Sequence, residues 1–355
     1  MQAAVLKALG SPLVVETLPD PVLGTGEVIV DVAAAGVAGY TAGVLSGARN
    51  YMLEVPIAPG PGGIGRVRAV GPDSTKLKAG DWVYVDSTIR SRDDAVNPDT
   101  ILLGWTARTP AAMPLHRFYH HGSFAEQVLV PTENVTPIGE ISTAEAGRWT
   151  ALGRLLVPYG GLLAGDLKAG ETILVSGATG GFGGAGVAVA LAMGAGTVVA
   201  SGRNPAALDS LVHQYGPRVK PAPMRGDEAD DKRRILDAAG GPIDVVLDFL
   251  PREANASQAM AAVRSVRHGG RVVLMGGVRA DLPLNYNWIM HGNITLRGQW
   301  MYGREAVPRL VQMVRTGLID LGAFSVTEFA LDRANEAITF AAANAGPRQL
   351  TVLRP

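Results

Sequence analysis

The sequence contains no cysteine. That absence excludes disulfides, a thiolate nucleophile, and any zinc or iron–sulfur site held through sulfur. It also has no surplus of charge, with 32 Lys plus Arg against 32 Asp plus Glu, so no overall field draws the chain to nucleic acid or to an anionic membrane. Small molecules are the expected partners. Repeats and low-complexity segments are absent. The N-terminus, MQAAVLKALGSPLVVETLPD, lacks the basic segment and long apolar run of a secretory leader. It reads as a β-hairpin, and cytoplasmic placement is the expectation. At 355 residues and 47% hydrophobic content the chain can fill the cores of two domains.

The chain is organised around residues 172–204, TILVSGATGGFGGAGVAVALAMGAGTVVASGRN. No residue between Glu171 and Arg203 is charged, which is long enough to raise a membrane span. The cluster GATGGFGG argues against one, because its backbone polar groups need partners that lipid cannot supply. The stretch reads instead as strand, glycine turn, helix and second strand. Gly177, Gly180 and Gly183 let the backbone turn tightly, approach a pyrophosphate and seat the next helix on the strand. Gly180, Gly181, Phe182 and Gly183 are the expected pyrophosphate contacts, with the helix N-terminus aimed at the anion.

The second strand ends Ser201-Gly202-Arg203-Asn204. An NAD site usually offers a carboxylate here, but no acid competes, and a guanidinium suits a 2′-phosphate. NADP(H) is therefore the expected cofactor, with Ser201, Arg203 and Asn204 on the adenosine phosphate.

Before this unit, residues 1–139 are short β-type runs separated by Pro and Gly turns, arguing for an antiparallel barrel-like domain with residues 87–121 as a lobe packed on it. A helical region opens at Ser142-Thr143-Ala144-Glu145, a capping box. After the unit come a helix with Pro205 in its first turn, a helix over 227–239, a helix over 252–266 and buried strands at 243–248 and 271–275. This alternation means a parallel sheet. Residues 294–298 read as its edge strand, and 305–316 as a helix.

Together GDWV, GSFAEQV, the glycine turn and the segment Gly269–Gly277 resemble the medium-chain dehydrogenase/reductase superfamily over almost the whole chain. The resemblance implies an α/β protein, a Rossmann doubly wound parallel sheet plus a β-rich GroES-like catalytic domain. The implied division is 1–152 catalytic, 153–301 dinucleotide-binding and 302–355 returning to the catalytic domain, with the active site in the cleft between them. It places Phe249, Leu250, Gly276 and Gly277 on the cofactor, and implies a homodimer paired through the edge strand.

Zinc-dependent members hold a catalytic metal with ligands that this sequence lacks. Ala38 and Gly39 stand where the first ligand and its neighbour belong, and Pro61 and Gly62 where a His-Glu pair belongs. The lobe has no cysteine, so both zinc sites of the family read as lost. His116, His120 and His121 lie in the lobe, which in relatives is away from the cleft, and are expected to hydrogen-bond within it, with one of them able to reach the cleft mouth. No metal is expected.

Tyr40 stands where relatives carry a Ser or Thr that passes a proton to or from the substrate oxygen. It is either the proton donor or a filler of space left by the metal. A phenol ordinarily titrates near ~10, so it is a ready donor at neutral pH and a poor base. Trp300, Met301 and Tyr302 either wall an apolar pocket or belong to the core, and Asp248 is either a strand-end hydrogen-bond acceptor or a cofactor contact. The expected activity is metal-free, NADPH-dependent reduction of an activated C=C or C=O in a small, largely apolar molecule. The alternative is a non-catalytic NADP(H)-binding protein such as a redox sensor.

Overall fold

The structure, a computed structural model, describes residues 1–355. The chain divides into two compact units. One comprises Met1–Gly153, Phe324–Ala345 and Gln349–Pro355; the other comprises Arg154–Ala323 and Gly346–Arg348.

The N-terminal runs form the hairpin β1 (Gln2–Leu6) and β2 (Leu13–Thr17), with Val5 opposite Val14. β3 (Glu27–Val37) leads to Tyr40 and the short helix α1 (Thr41–Leu45), and is followed by β4 (Gly63–Val70) and β5 (Trp82–Val85). The lobe has more order than its sequence pattern suggests. It holds a small antiparallel sheet, β6 (Thr88–Arg90), β7 (Thr100–Leu102) and β8 (Thr106–Ala107), and the helix α2 (Met113–Phe118). Three strands this short carry too few residues to display a period of two. β9 (Gln127–Pro131) and β10 (Val135–Pro137) return to the main sheet. The Ser142 and Glu145 capping box then forms before α3 (Ala146–Trp149).

The second unit starts inside α4 (Ala151–Ala164) and continues β11 (Thr172–Ser176), α5 (Gly181–Ala192), β12 (Thr197–Gly202), α6 (Pro205–Tyr215), β13 (Val219–Pro223), α7 (Glu228–Ala239) and β14 (Ile243–Asp248). It ends with α8 (Ala256–Val263), β15 (Val266–Leu274), α9 (Tyr286–His291), β16 (Thr295–Gly298) and α10 (Ala306–Arg315). Helix α8 is shorter than residues 252–266 because Asn255 and Gln258 form a capping box that fixes its start. All six strands are parallel, in the order β13-β12-β11-β14-β15-β16. Strand order reverses beside β11, which is where a doubly wound sheet opens a crevice at its carboxyl ends. β16 is an edge. No helix is long and apolar enough to cross a membrane, and the uncharged stretch is divided among β11, α5 and β12.

The chain then returns to the first unit through β17 (Ser325–Ala330), α11 (Ala334–Ala343) and β18 (Gln349–Arg354), completing a sheet ordered β10-β5-β4-β3-β18-β17 with β9 also on β3. All of its pairings are antiparallel except β17 with β18. The return falls at Phe324 and not at residue 302. Residues 302–323 stay with the nucleotide unit because Tyr302 is buried against Gly160 and α10 buries Ala306, Val307, Leu310 and Val311. Burying such an apolar stripe is what holds a short helix in place.

Candidate functional site: a glycine turn and a tyrosine corner

In the nucleotide unit the ends of four strands converge. After β11, Gly177 adopts φ +77°, a left-handed conformation that a side chain would strain. A Cβ on Gly183 would lie 2.1 Å from the carbonyl oxygen of Gly177, so only glycine lets α5 sit this close to the turn. Gly180 is the extended N-cap of α5 and carries no capping side chain. The first N–H groups of the helix therefore receive nothing from a cap, which makes them donors for an anion. The β14 exit loop closes against the turn, since a Cβ on Gly177 would meet Phe249 O at 2.7 Å and Leu250 N at 3.2 Å. Phe182 and Phe249 stack, with ring centroids 6.2 Å apart. The β15 exit joins the same cluster, because Gly277 N donates to Leu250 O at 2.8 Å and a Cβ on Gly276 would meet Asp248 Oδ2 at 2.5 Å.

At the end of β12, Ser201 is buried and its hydroxyl finds no protein partner. Arg203 is exposed. Asn204 caps α6 by accepting from Ala207 N at 3.2 Å, with Pro205 at the first helical position. A buried orphan hydroxyl, an uncapped helix start and a turn with no room for side chains fit a nicotinamide dinucleotide, which when bound supplies or takes up the hydride.

One cation in this cluster has no sequence signal. Arg154, on α4, lays its guanidinium beside Gly181, where an added Cβ would meet its Cζ at 3.2 Å and its Nε and Nη1 at 3.3 Å. Arg154 Nη1 also donates to Gly346 O at 3.4 Å. No local pattern links an arginine on the preceding helix to the glycine turn, because the contact is tertiary.

Asp248 is buried beneath Gly276 and accepts from Leu250 N at 3.4 Å. Burial pushes its carboxyl up to about 6, with the Ser176 hydroxyl and Leu250 N–H opposing the shift. At the strand end it is thus a hydrogen-bond acceptor, one of the two roles read from sequence. Trp300, Met301 and Tyr302 differ in their surroundings. Trp300 is 41% exposed, Met301 has φ +57°, and Tyr302 is buried on α4 at Gly160.

In the β-rich unit, Tyr40 precedes α1 and is half-buried against the core. Its ring lies 6.0 Å from that of Trp105, and the Arg49 guanidinium carbon stands 4.3 Å above its centroid. The segment that would carry metal ligands offers none. Ala38 and Pro61 have no donor atom, and Gly62, at φ +75°, would place a Cβ 2.2 Å from Val85 O. A glutamate cannot stand at 62 on this backbone, so these residues do not fit the family's catalytic zinc. No group of three His, Cys, Asp or Glu is arranged to hold a metal ion.

Two of the lobe histidines bond outside the lobe rather than within it, His120 Nε2 to Pro56 O at 2.7 Å and His121 Nδ1 accepting from Ala58 N at 3.1 Å, because the segment 56–58 packs against the end of the lobe. His116 is fully buried with neither ring nitrogen paired to protein. Burial, and next the neighbouring His120, hold His116 and His121 down at about 4.

Comparison with known proteins accords with this geometry. The alcohol dehydrogenase GroES-like domain model matches residues 24–140, and the zinc-binding dehydrogenase model matches residues 181–316. An alcohol dehydrogenase from Moraxella sp. (strain TAE123) is 27% identical over 349 residues, covering 95% of this chain and 94% of that protein. A quinone oxidoreductase from Sus scrofa is 24% identical, covering 90% and 86% respectively. The crystal structure of an NAD-dependent alcohol dehydrogenase superposes with a TM-score of 0.80 at 22% identity over the full length of both chains. With a nucleotide unit built for a nicotinamide dinucleotide and a GroES-like β-rich unit around it in sequence, the chain belongs to the medium-chain dehydrogenase/reductase superfamily and is an oxidoreductase of that class.

Proposed function

We propose that this enzyme is an NADPH-dependent, zinc-independent reductase of an activated C=C or C=O in a small organic acceptor, with Tyr40 as proton donor. The observation that carries the reading is that the segment expected to hold the metal has no donor and no room for one at Gly62, while Tyr40 stands at the head of α1 where relatives carry a proton-passing hydroxyl. Without a Lewis acid, charge arriving on a ketone oxygen depends on hydrogen-bond donors. A conjugated acceptor is less demanding, because charge from a hydride received at the β-carbon spreads over an enolate. Tyr40 then gives its proton to that enolate, and the phenolate recovers one from water. Arg203 holds the 2′-phosphate, and the α5 N–H groups with Arg154 hold the pyrophosphate.

The test is NADPH oxidation with a panel of enones, quinones and ketones. Enone or quinone reduction is expected to exceed alcohol oxidation, chelators to have no effect, and Tyr40→Phe to lower kcat by roughly 10²-fold or more. Full activity in Tyr40→Phe would make the tyrosine a packing residue. Loss of activity with chelator, restored by zinc, would overturn the metal-free mechanism. Tight NADPH binding without turnover of any acceptor would favour the non-catalytic reading.

The assembly we propose is a homodimer in the cytoplasm, paired through the β16 edge, whose unpaired backbone groups invite a second copy. Light scattering at micromolar concentration should give twice the chain mass, and a monomer refutes it.

A further inference from the structure

We propose that the substrate is anionic, an enone or enal bearing a carboxylate set apart from the reacting carbons, and that Arg49 receives that carboxylate. The proposal rests on the reading of Tyr40 as the group beside the acceptor. It replaces a largely apolar substrate by one with a charged end.

Arg49 is held in place by the turn after α1. Its backbone N–H donates to Gly43 O at 3.0 Å, and Asn50 N donates to Gly47 O at 2.9 Å. Gly47 and Asn50 take the left-handed φ values of +77° and +54° that this tight turn requires. The side chain runs over Gly43, where an added Cβ would touch its Cγ at 3.6 Å and Nε at 3.7 Å. It ends above the Tyr40 ring, 4.3 Å from the centroid. The ring covers one face of the guanidinium, which a cation tolerates well, but the five N–H donors lie around its edge.

Those donors have no protein acceptor: Arg49 enters neither an ion pair nor a side-chain hydrogen bond. Other arginines of the same unit are paired, among them Arg68 with Asp31, Arg92 with Glu133, Arg117 with Glu54 and Arg354 with Glu328, while Arg148, which has no such partner, is exposed to water. A half-buried guanidinium without a counter-ion loses hydration and gains nothing in return unless a ligand supplies the anion. Two buried polar atoms, Oγ1 of the next residue Thr41 and Nε1 of Trp105, whose ring lies 6.0 Å from that of Tyr40, also lack a protein partner. One fork-shaped cation, joined by neutral groups and by no second cation, matches a singly charged planar carboxylate better than a phosphate dianion.

The experiment compares (E)-6-oxohept-4-enoate with its methyl ester in NADPH oxidation. In the wild type kcat/KM for the acid should exceed that for the ester by about 10- to 100-fold, the range of a charge-assisted hydrogen-bond pair. The ratio should fall to near unity in Arg49→Met and recover in part in Arg49→Lys, which restores charge without the fork. Equal use of acid and ester by the wild type overturns the proposal and leaves the reductase reading standing. Binding of the saturated 6-oxoheptanoate and its methyl ester, followed by tryptophan fluorescence, separates the two readings. A preference for the acid that Arg49→Met abolishes supports the assignment even if neither enone turns over. No preference in binding counts against it whatever the activity.

Discussion

Two glycine-rich segments of this molecule both let backbone close on backbone, but only one of them also leaves an open position. In the nucleotide unit, Gly180 has ordinary φ and open surroundings, the nearest atom to an added Cβ being Gly177 O at 3.4 Å. The missing side chain leaves space for a ligand. In the β-rich unit, the segment 60–65 is filled by the protein itself. A Cβ at Gly62 would lie 2.2 Å from Val85 O, at Gly63 2.6 Å from Ala34 O, and at Gly65 2.2 Å from Asp31 O. There glycine lets strands close on one another. Gly177 and Gly183 are as crowded as Gly62, so what separates the two segments is the one position, Gly180, whose vacated space is not already taken by backbone.

The sharpest way to break this comparison is a pair of alanine variants. Gly62→Ala should destabilise the β-rich unit by on the order of 3 kcal/mol or more, through left-handed strain plus a backbone clash. Gly180→Ala should leave the melting temperature within a few degrees of wild type while weakening NADPH binding. Thermal melts and cofactor titrations of both variants check this, and a stable Gly62→Ala would show that the strands relax around a side chain.

Acid should also separate the two regions. Asp248 binds its proton more tightly folded than unfolded, so its contribution to stability falls as pH rises from about 4 to about 6. His116 behaves in the reverse sense. Its folded value of about 4 lies below the ordinary 6.5, so stability falls as pH drops from 6.5 to 4. Each effect is on the order of 3 kcal/mol. Hydrogen exchange measured across this range should show opposite trends around β14 and α2, and Asp248→Asn or His116→Leu should flatten only its own.

A smaller change is expected from Arg203→Ala, at roughly 1.5–3 kcal/mol of NADPH affinity with NADH little affected. Equal weakening toward both cofactors would remove Arg203 from 2′-phosphate recognition.

Much of this architecture was legible because it is local. A capping box at Ser142, Pro205 after an Asn cap, a terminal hairpin and glycine spacing each announce themselves within a few residues. The resemblance supplied the joining of Gly276, Gly277, Phe249 and Leu250, which the structure brings together beside the turn. What escaped is tertiary. Arg154 meets Gly181 only once α4 packs on the sheet, Arg49 reaches Tyr40 only through a left-handed turn, and the 302 boundary gave way because α10 buries its stripe in the nucleotide unit.

The three residues Gly346–Arg348 belong to the nucleotide unit although both flanking segments belong to the other. Pro347 presses on α5, where a Cβ at Gly184 would come within 2.3 Å of its Cβ, and Arg348 clasps Gln214 at 2.6 Å and Ser210 at 2.8 Å. A gene fragment spanning only 154–323 would lack this stitch, leaving the start of α5 bare and two polar side chains of α6 unanswered. The dinucleotide-binding cassette is thus not a contiguous piece of sequence, and a chimera that swaps it must carry the stitch along.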